Sequence, residues 1–262
     1  MAAARASTLE PLNMAPPLAV VIPALEEAAR LPLLLADLAA APAGLISERV
    51  VVDGGSRDGS DRLARLAGAR LIRSSAGRGP QLKCGVAATT APWLLLLHAD
   101  ARLPPAWDRA VVAAMATASG AWCFDLAVEG SGLSLRLLEL AVACRTRLRR
   151  LPYGDQGLLL PRSLLAACGG VAPLPLMEDL DLVLRLRRQA PLRRLGLPLR
   201  VDGRRWHRHG VLSCAWRNAR LRRAWRRGCA EETLARLYYG DPSPQGEYQK
   251  AQRRFWGSSC HP

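Results

Sequence analysis

Lysine is nearly missing from this chain: Lys83 and Lys250 are the only two among 37 basic residues. A bias of that kind fits a GC-rich genome and implies no chemistry of its own. Acids are scarce where arginines are densest. Between Arg185 and Arg227 there are fifteen Arg, no Lys and one acid, Asp202, so this stretch carries nearly all of the net charge of +15. Paired cysteines are missing too. Cys84, Cys123, Cys144, Cys168, Cys214, Cys229 and Cys260 stand singly, with no CxxC and no metal-ligand spacing. That excludes a zinc-ribbon scaffold and reads as free, mostly buried thiols in a reducing compartment. No apolar run reaches the roughly 18 residues of a membrane span. Met1 to Pro17 has no signal-peptide apolar region and reads as a loose extension in which Met14 is an alternative start. The expectation is a cytoplasmic chain, with association at the inner face of the membrane left open.

What is present is a core. Half of the 262 residues are apolar, which excludes global disorder. Leu18–Ile22, Val50–Asp53, Arg70–Arg73 and Trp93–Leu97 read as strands, the longer apolar ones buried on both faces. Helical spacing lies between them over Glu26–Ala40, Gly59–Ala67 and the stretch from Gly77 to Ala88. The β-α-β alternation predicts an α/β fold: an open, mostly parallel sheet with helices on both faces. Further on, Ala121–Val128 and Leu195–Val201 read as strands. Leu133–Arg149 and Glu178–Gln189 read as helices, and Val211–Leu237 as one long Arg-studded helix. With no repeat and no Pro/Gly linker, one domain is expected over 18–239. It divides into a first half at 18–103 and a second at 104–239, with a polar tail from 240 to 262.

Ligands of open α/β sheets bind outside the strands' carboxyl ends. Four successive strand ends here carry small and polar residues: Pro23-Ala24-Leu25-Glu26-Glu27, Asp53 through Ser60, Gly77-Arg78-Gly79-Pro80-Gln81, and His98-Ala99-Asp100. Asp53 at a strand end suits hydrogen bonds from a base or ribose and is read as functional ahead of its turn-forming role, whereas Asp58 suits a turn or helix cap equally well. Asp100 suits a divalent cation bridging two phosphates, or a helix cap. His98 reads as a satisfied edge histidine or a supporting partner. Glu178 and Asp179 open a helix, where acids are ordinary, yet Asp155 and Gln156 precede them in a Gly-bounded turn, and a carboxylate fixed at a helix start facing a cleft makes a general base. His209 beside Gly210 suits a metal or diphosphate contact, or a basic surface loop.

Taken together, Val20-Val21-Ile22-Pro23 with Glu26-Glu27 and Val51 through Ser60 resemble the start of family 2 glycosyltransferases. His98-Ala99-Asp100, Tyr153-Gly154-Asp155-Gln156-Gly157, Glu178-Asp179-Leu180-Asp181 and His209-Gly210 look like one bacterial branch of that family. That branch accompanies radical-SAM and selenium- or arsenic-related genes and is labelled arsenosugar-biosynthesis glycosyltransferase. The resemblance spans about Leu18 to Tyr239. It implies the GT-A fold, a nucleoside-diphosphate sugar donor (a UDP-sugar by default), Mg²⁺ or Mn²⁺, and inverting transfer. By position it places Pro23, Glu26, Asp53, Ser56, Arg78, Gln81 and Asp100 on the nucleotide-sugar side. Gln156, Glu178 and His209 fall on the acceptor and diphosphate side. Asp100 becomes the metal ligand, with His209 as a possible second, and Asp179 the catalytic base. The metal motif is His-Ala-Asp and lacks the family's first carboxylate, Lys83 replaces an expected Asn, and Gly55 replaces the usual Ser.

Other readings compete. A nucleotidyltransferase would want a Gly-rich, basic first loop, and this one is acidic. A nucleic-acid-binding module would explain the arginines but not the ordered acidic loops, so nucleic acid is not the expected partner. The acceptor is a small molecule or, given Trp206, Trp216 and Trp225 among arginines, a lipid or carotenoid at a membrane surface.

Overall fold

The computed structural model of the protein describes residues 17–117 and 119–239. The expected tail and all of the extension but Pro17 lie outside the described residues. Seven strands form one sheet: β1 (Leu18–Ala24), β2 (Ile46–Asp53), β3 (Arg70–Arg73), β4 (Trp93–Leu96), β5 (Ala121–Val128), β6 (Leu158–Pro161) and β7 (Leu192–Val201). Their spatial order is β3-β2-β1-β4-β6-β5-β7. β6 runs antiparallel to both neighbours, and the other pairings are parallel. This is the mostly parallel α/β sheet that the alternation predicted, in the GT-A arrangement that the family resemblance implies.

Alternation along β1 shows why its residues are all apolar. Leu18, Val20 and Ile22 enter one core with α1 (Leu31–Ala39), α2 (Ser60–Leu66) and α4 (Trp107–Met115). Ala19 and Val21 enter the other, with α3 (Arg78–Ala87), α6 (Arg162–Ala167) and α7 (Glu178–Gln189). A strand covered on both faces has no solvent side on which to place polar residues. Phe124 of β5 is wholly buried in the first core. Truncation of such a side chain costs about 3–5 kcal/mol.

Three elements differ from the sequence reading. The first helix begins at Leu31 rather than Glu26. The intervening N–H groups are taken by another loop: Glu26 N–H donates to Ser56 Oγ at 3.0 Å, Glu27 N–H to Ser60 Oγ at 2.8 Å and Ala28 N–H to Asp58 Oδ2 at 2.8 Å. Glu26 also sits in the left-handed region at φ 56°, outside any helix. The basic stretch before Gly210 is itself a short helix, α8 (Arg204–His209). The long helix expected over 211–237 is two, α9 (Val211–Arg226) and α10 (Glu231–Tyr239). Gly228, at φ 76°, breaks it in a conformation that favours glycine. α5 (Leu133–Arg149) covers β5 near this end of the sheet.

Candidate active site

A cleft of about 470 Å³ opens at the carboxyl ends of the central strands. One wall is the β1 end and the start of α3, with Pro23, Glu27, Arg78 and Gln81. Behind them lie His98 and Asp100 after β4 and Asp155 and Asp179 from the second half. Arg204, Arg205, Trp206, Asn218, Arg222 and Tyr238, from α8, α9 and α10, form the opposite wall.

The most motif-like loop turns its polar groups on itself. Asp53, 2% exposed, accepts from Gly55 N–H (3.1 Å, Oδ2) and Ser56 N–H (3.1 Å, Oδ1), which fixes the turn after β2. Glu26 Oε1 accepts from Arg57 N–H at 2.6 Å, and Asp58 binds Ser60 and Ala28. Gln81 Nε2 donates to Ala24 O at 2.8 Å and Val52 O at 2.7 Å, stapling the ends of β1 and β2. Asp53, Ser56 and Glu26 are not among the side chains lining the cleft, whereas Pro23 and Gln81 are. In this structure Asp53 and Asp58 hold their own turn and the β1 loop, and Asp53, like Asp179, keeps lone pairs beyond its backbone hydrogen bonds.

The carboxylates deeper in are less satisfied. Asp179 Oδ2 accepts from Gly154 N–H at 2.8 Å and Oδ1 from Leu180 N–H at 2.7 Å, so its orientation is fixed while lone pairs remain free. Gly154 makes that approach possible, because a Cβ there would stand 2.7 Å from His98 Nε2. Glu178 is 1% exposed. Arg78 Nε lies 3.3 Å from its Oε1, and Oε2 has no hydrogen-bond partner. Burial, aided by the nearby Asp179 charge and opposed by Arg78, pushes the Glu178 carboxyl up to about 7. Burial likewise lifts Asp155 to about 6, against the pull of Arg145, and its Oδ1 is also unpartnered. His98 is driven down to about 3 by burial and by the Arg78 guanidinium, so it is neutral. Arg78 Nη1, which can only donate, lies 3.4 Å from His98 Nε2, and this assigns the ring proton to Nδ1. His98 is therefore part of the cleft rather than an edge residue.

Asp100 is raised above its ordinary value, first by burial and also by Asp202, with Arg204 opposing. Arg204 pairs with Glu27 and, through Nε, lies 3.4 Å from Asp202 Oδ2. Glu27 Oε2 is another buried oxygen without a partner. No three His, Cys, Asp or Glu side chains among the described residues converge as a complete metal cage. The donor set instead fits Mg²⁺ or Mn²⁺ sharing one carboxylate, Asp100, with the oxygens of a diphosphate.

Two more expected site residues fall elsewhere. Gln156 is fully buried and structural. Its Nε2 donates to Phe124 O at 3.1 Å, and its Oε1 accepts from Arg145 at 3.0 Å and Thr146 at 3.2 Å. Its neighbour Asp155 takes the cleft position. His209 is exposed at the end of α8 and is not among the lining residues. Sequence reasoning missed Glu27 as distinct from Glu26, and it missed Asp202, Arg204, Arg205 and Arg222. The signal for Asp155 was in the same Gly-bounded turn.

Solved structures share this fold. Glucosyl-3-phosphoglycerate synthase from Mycobacterium tuberculosis, in complex with Mn²⁺, UDP and glucosyl-3-phosphoglycerate, matches at TM-score 0.50 and 23% identity over 70% of this chain and 71% of that one. The complex with Mn²⁺, UDP and phosphoglyceric acid matches at TM-score 0.51 and 22% identity, covering 70% and 69%. The complex with Mn²⁺, UDP-glucose and phosphoglyceric acid matches at 0.50 and 23%, covering 70% of each chain. At such identities the likeness is one of fold. No curated protein matches the chain significantly. The family profile described as Glycosyl transferase family 2 matches residues 19–172, more than half of the 262 residues. The chain belongs to glycosyl transferase family 2 and is a glycosyltransferase.

Proposed function

We propose that the protein is an inverting glycosyltransferase that moves a sugar from a UDP-sugar to an acceptor bearing an acidic group. The observation that carries this reading is the gathering of Asp100, Asp179 and the Arg78 and Arg204 guanidiniums around one cleft at the strand ends. The nucleoside lies toward the β1 and α3 wall. Arg78 and Arg204 stand where they meet the negative charge that develops on the departing diphosphate. Asp100 would hold Mg²⁺ or Mn²⁺ there, and the ion when bound supplies further neutralisation of that charge.

Asp179 is the base. Its two backbone hydrogen bonds hold it in one rotamer, ready to take the acceptor hydroxyl proton as that oxygen attacks the anomeric carbon. The bond to the diphosphate oxygen breaks on the opposite face, so one base on one side inverts the configuration. Asp155, protonated over much of the range below about pH 6, can donate a hydrogen bond to a second acceptor oxygen.

Arg205 and Arg222 favour an acidic acceptor. Among the described residues neither has a carboxylate partner. Arg205 Nη2 is 2.9 Å from Asn218 Oδ1, and Arg222 lies over the Tyr153 ring at 5.5 Å. The fold relatives crystallised with phosphoglyceric acid are consistent with this class. The branch resemblance proposes an arsenic-containing nucleoside-derived acceptor; a lipid or carotenoid carboxylate is the alternative that would meet the same arginines.

Calorimetry with UDP and GDP, each with and without Mn²⁺, tests the reading. Metal-dependent binding of UDP is expected. Failure to bind either nucleotide, alongside tight salt-sensitive binding of oligonucleotide, would replace it with the nucleic-acid reading.

A further inference from the structure

Away from the cleft, α5 leaves an apolar stripe in solvent. Leu135 and Val142 face inward against Leu126 and Val128 of β5. The opposite side presents Leu133, Leu137, Leu140 and Leu148, each 56–84% exposed. With exposed Cys144 between them, their spacing (i, i+4, i+7, i+11, i+15) is that of one helix face. At 1.5 Å per residue the stripe runs about 22 Å. Scattered single leucines on a surface need no explanation, but an ordered row does.

α9 extends this surface. Val211 joins the cluster under α5, and Arg145 of α5 and Arg222 of α9 both lie over the Tyr153 ring, so the two helices run side by side. Outward, α9 presents Leu212 and Trp216, 85% and 64% exposed. Arg220 lies 4.6 Å from the Trp216 ring centre, which puts a cation next to an interfacial aromatic.

We propose that this α5–α9 face docks peripherally on an anionic membrane surface. Charge selects that occupant. α9 holds five Arg and no acid, and α5 holds four Arg and one acid, Glu139, which already pairs with Arg136 at 2.8 Å. A second copy of the chain would press one arginine rim against the other with no acids to meet them, and like charges at an interface oppose association. Anionic headgroups match the rim while leucines and Trp216 enter the acyl boundary. No described helix is long and apolar enough to cross a membrane, so the docking is superficial. The face does not depend on the catalytic reading, although the cleft wall formed by α8 and α9 adjoins it.

Sedimentation of the full chain with phosphatidylcholine vesicles, with and without phosphatidylglycerol, tests this. Binding is expected to the anionic vesicles only, and to fall as salt is raised. The exposed triple substitution Leu133→Ser, Leu137→Ser, Leu140→Ser should weaken it by about tenfold or more, with thermal midpoint and UDP affinity unchanged. R220E/R223E, outside the cleft, should weaken it similarly. Three results would overturn the proposal: no anionic-vesicle binding by the parent chain, binding untouched by either variant, or a dimer in ultracentrifugation that the leucine variant dissolves.

Discussion

Two regions around the cleft are built on opposite principles. In the β2–α2 loop every conspicuous acid and hydroxyl is engaged at home: Asp53 holds its own turn, and Ser56, Asp58 and Ser60 stitch the β1 loop in place. In the second half and on the β1 wall, Glu27, Asp155 and Glu178 each keep a buried oxygen without a hydrogen-bond partner. The first arrangement gives shape. The second leaves unspent hydrogen-bonding capacity next to arginines, which is what a ligand or a proton transfer requires. The loop that looks most functional in sequence thus shapes the site through its own hydrogen bonds, and the unpartnered buried oxygens sit in less conspicuous places.

Substitutions should expose that contrast. The largest effect is expected for Asp179→Asn. Turnover should fall about 10²–10⁴-fold while UDP affinity stays within about twofold, measured by UDP release and calorimetry on the same preparation. Next, Asp100→Ala should remove the Mn²⁺-dependent part of UDP affinity, on the order of a hundredfold. An unchanged metal increment would move the ion elsewhere.

On the scaffold side, Gln81→Leu strips two buried carbonyls of their donor. It should cost about 2–4 kcal/mol in denaturant unfolding. A smaller and pH-dependent effect is expected for Glu178→Gln. The folded carboxyl is raised to about 7 from an ordinary value of 4.5, so the folded state binds the proton more tightly. In the parent, the stability from that proton is full below about pH 4.5 and is lost as pH rises through about 7. The variant should flatten the slope of melting temperature between those values, by an amount of order 1–3 kcal/mol. His209→Ala should do least. An exposed side chain outside the cleft should leave nucleotide binding within about twofold of the parent, the size of ordinary surface effects.

Local pattern carried much of the fold. β3, β5, α5 and α7 lie where the sequence pattern placed them; β5 is legible as a mostly buried strand and α7 as a helix with an acidic first turn. The start of α1 was not legible, since Glu26–Ala28 are held by partners about thirty residues away. The pairing of Arg204 with Glu27 spans 177 residues and has no local signal. Gln156 and Asp155 were exchanged for a subtler reason. A single 3₁₀ turn, Gly154–Gln156, decides which of two adjacent polar side chains enters the core. Here the amide went inward, where its donor and acceptor both find partners, and the carboxylate went to the cleft.

The most direct test is a crystal grown with UDP and Mn²⁺ and measured at the manganese absorption edge. One anomalous peak is expected, touching the Asp100 carboxylate and the diphosphate, with the β-phosphate end of UDP facing Asp179. A peak away from Asp100, or a nucleotide lying outside this cleft, would contradict this arrangement.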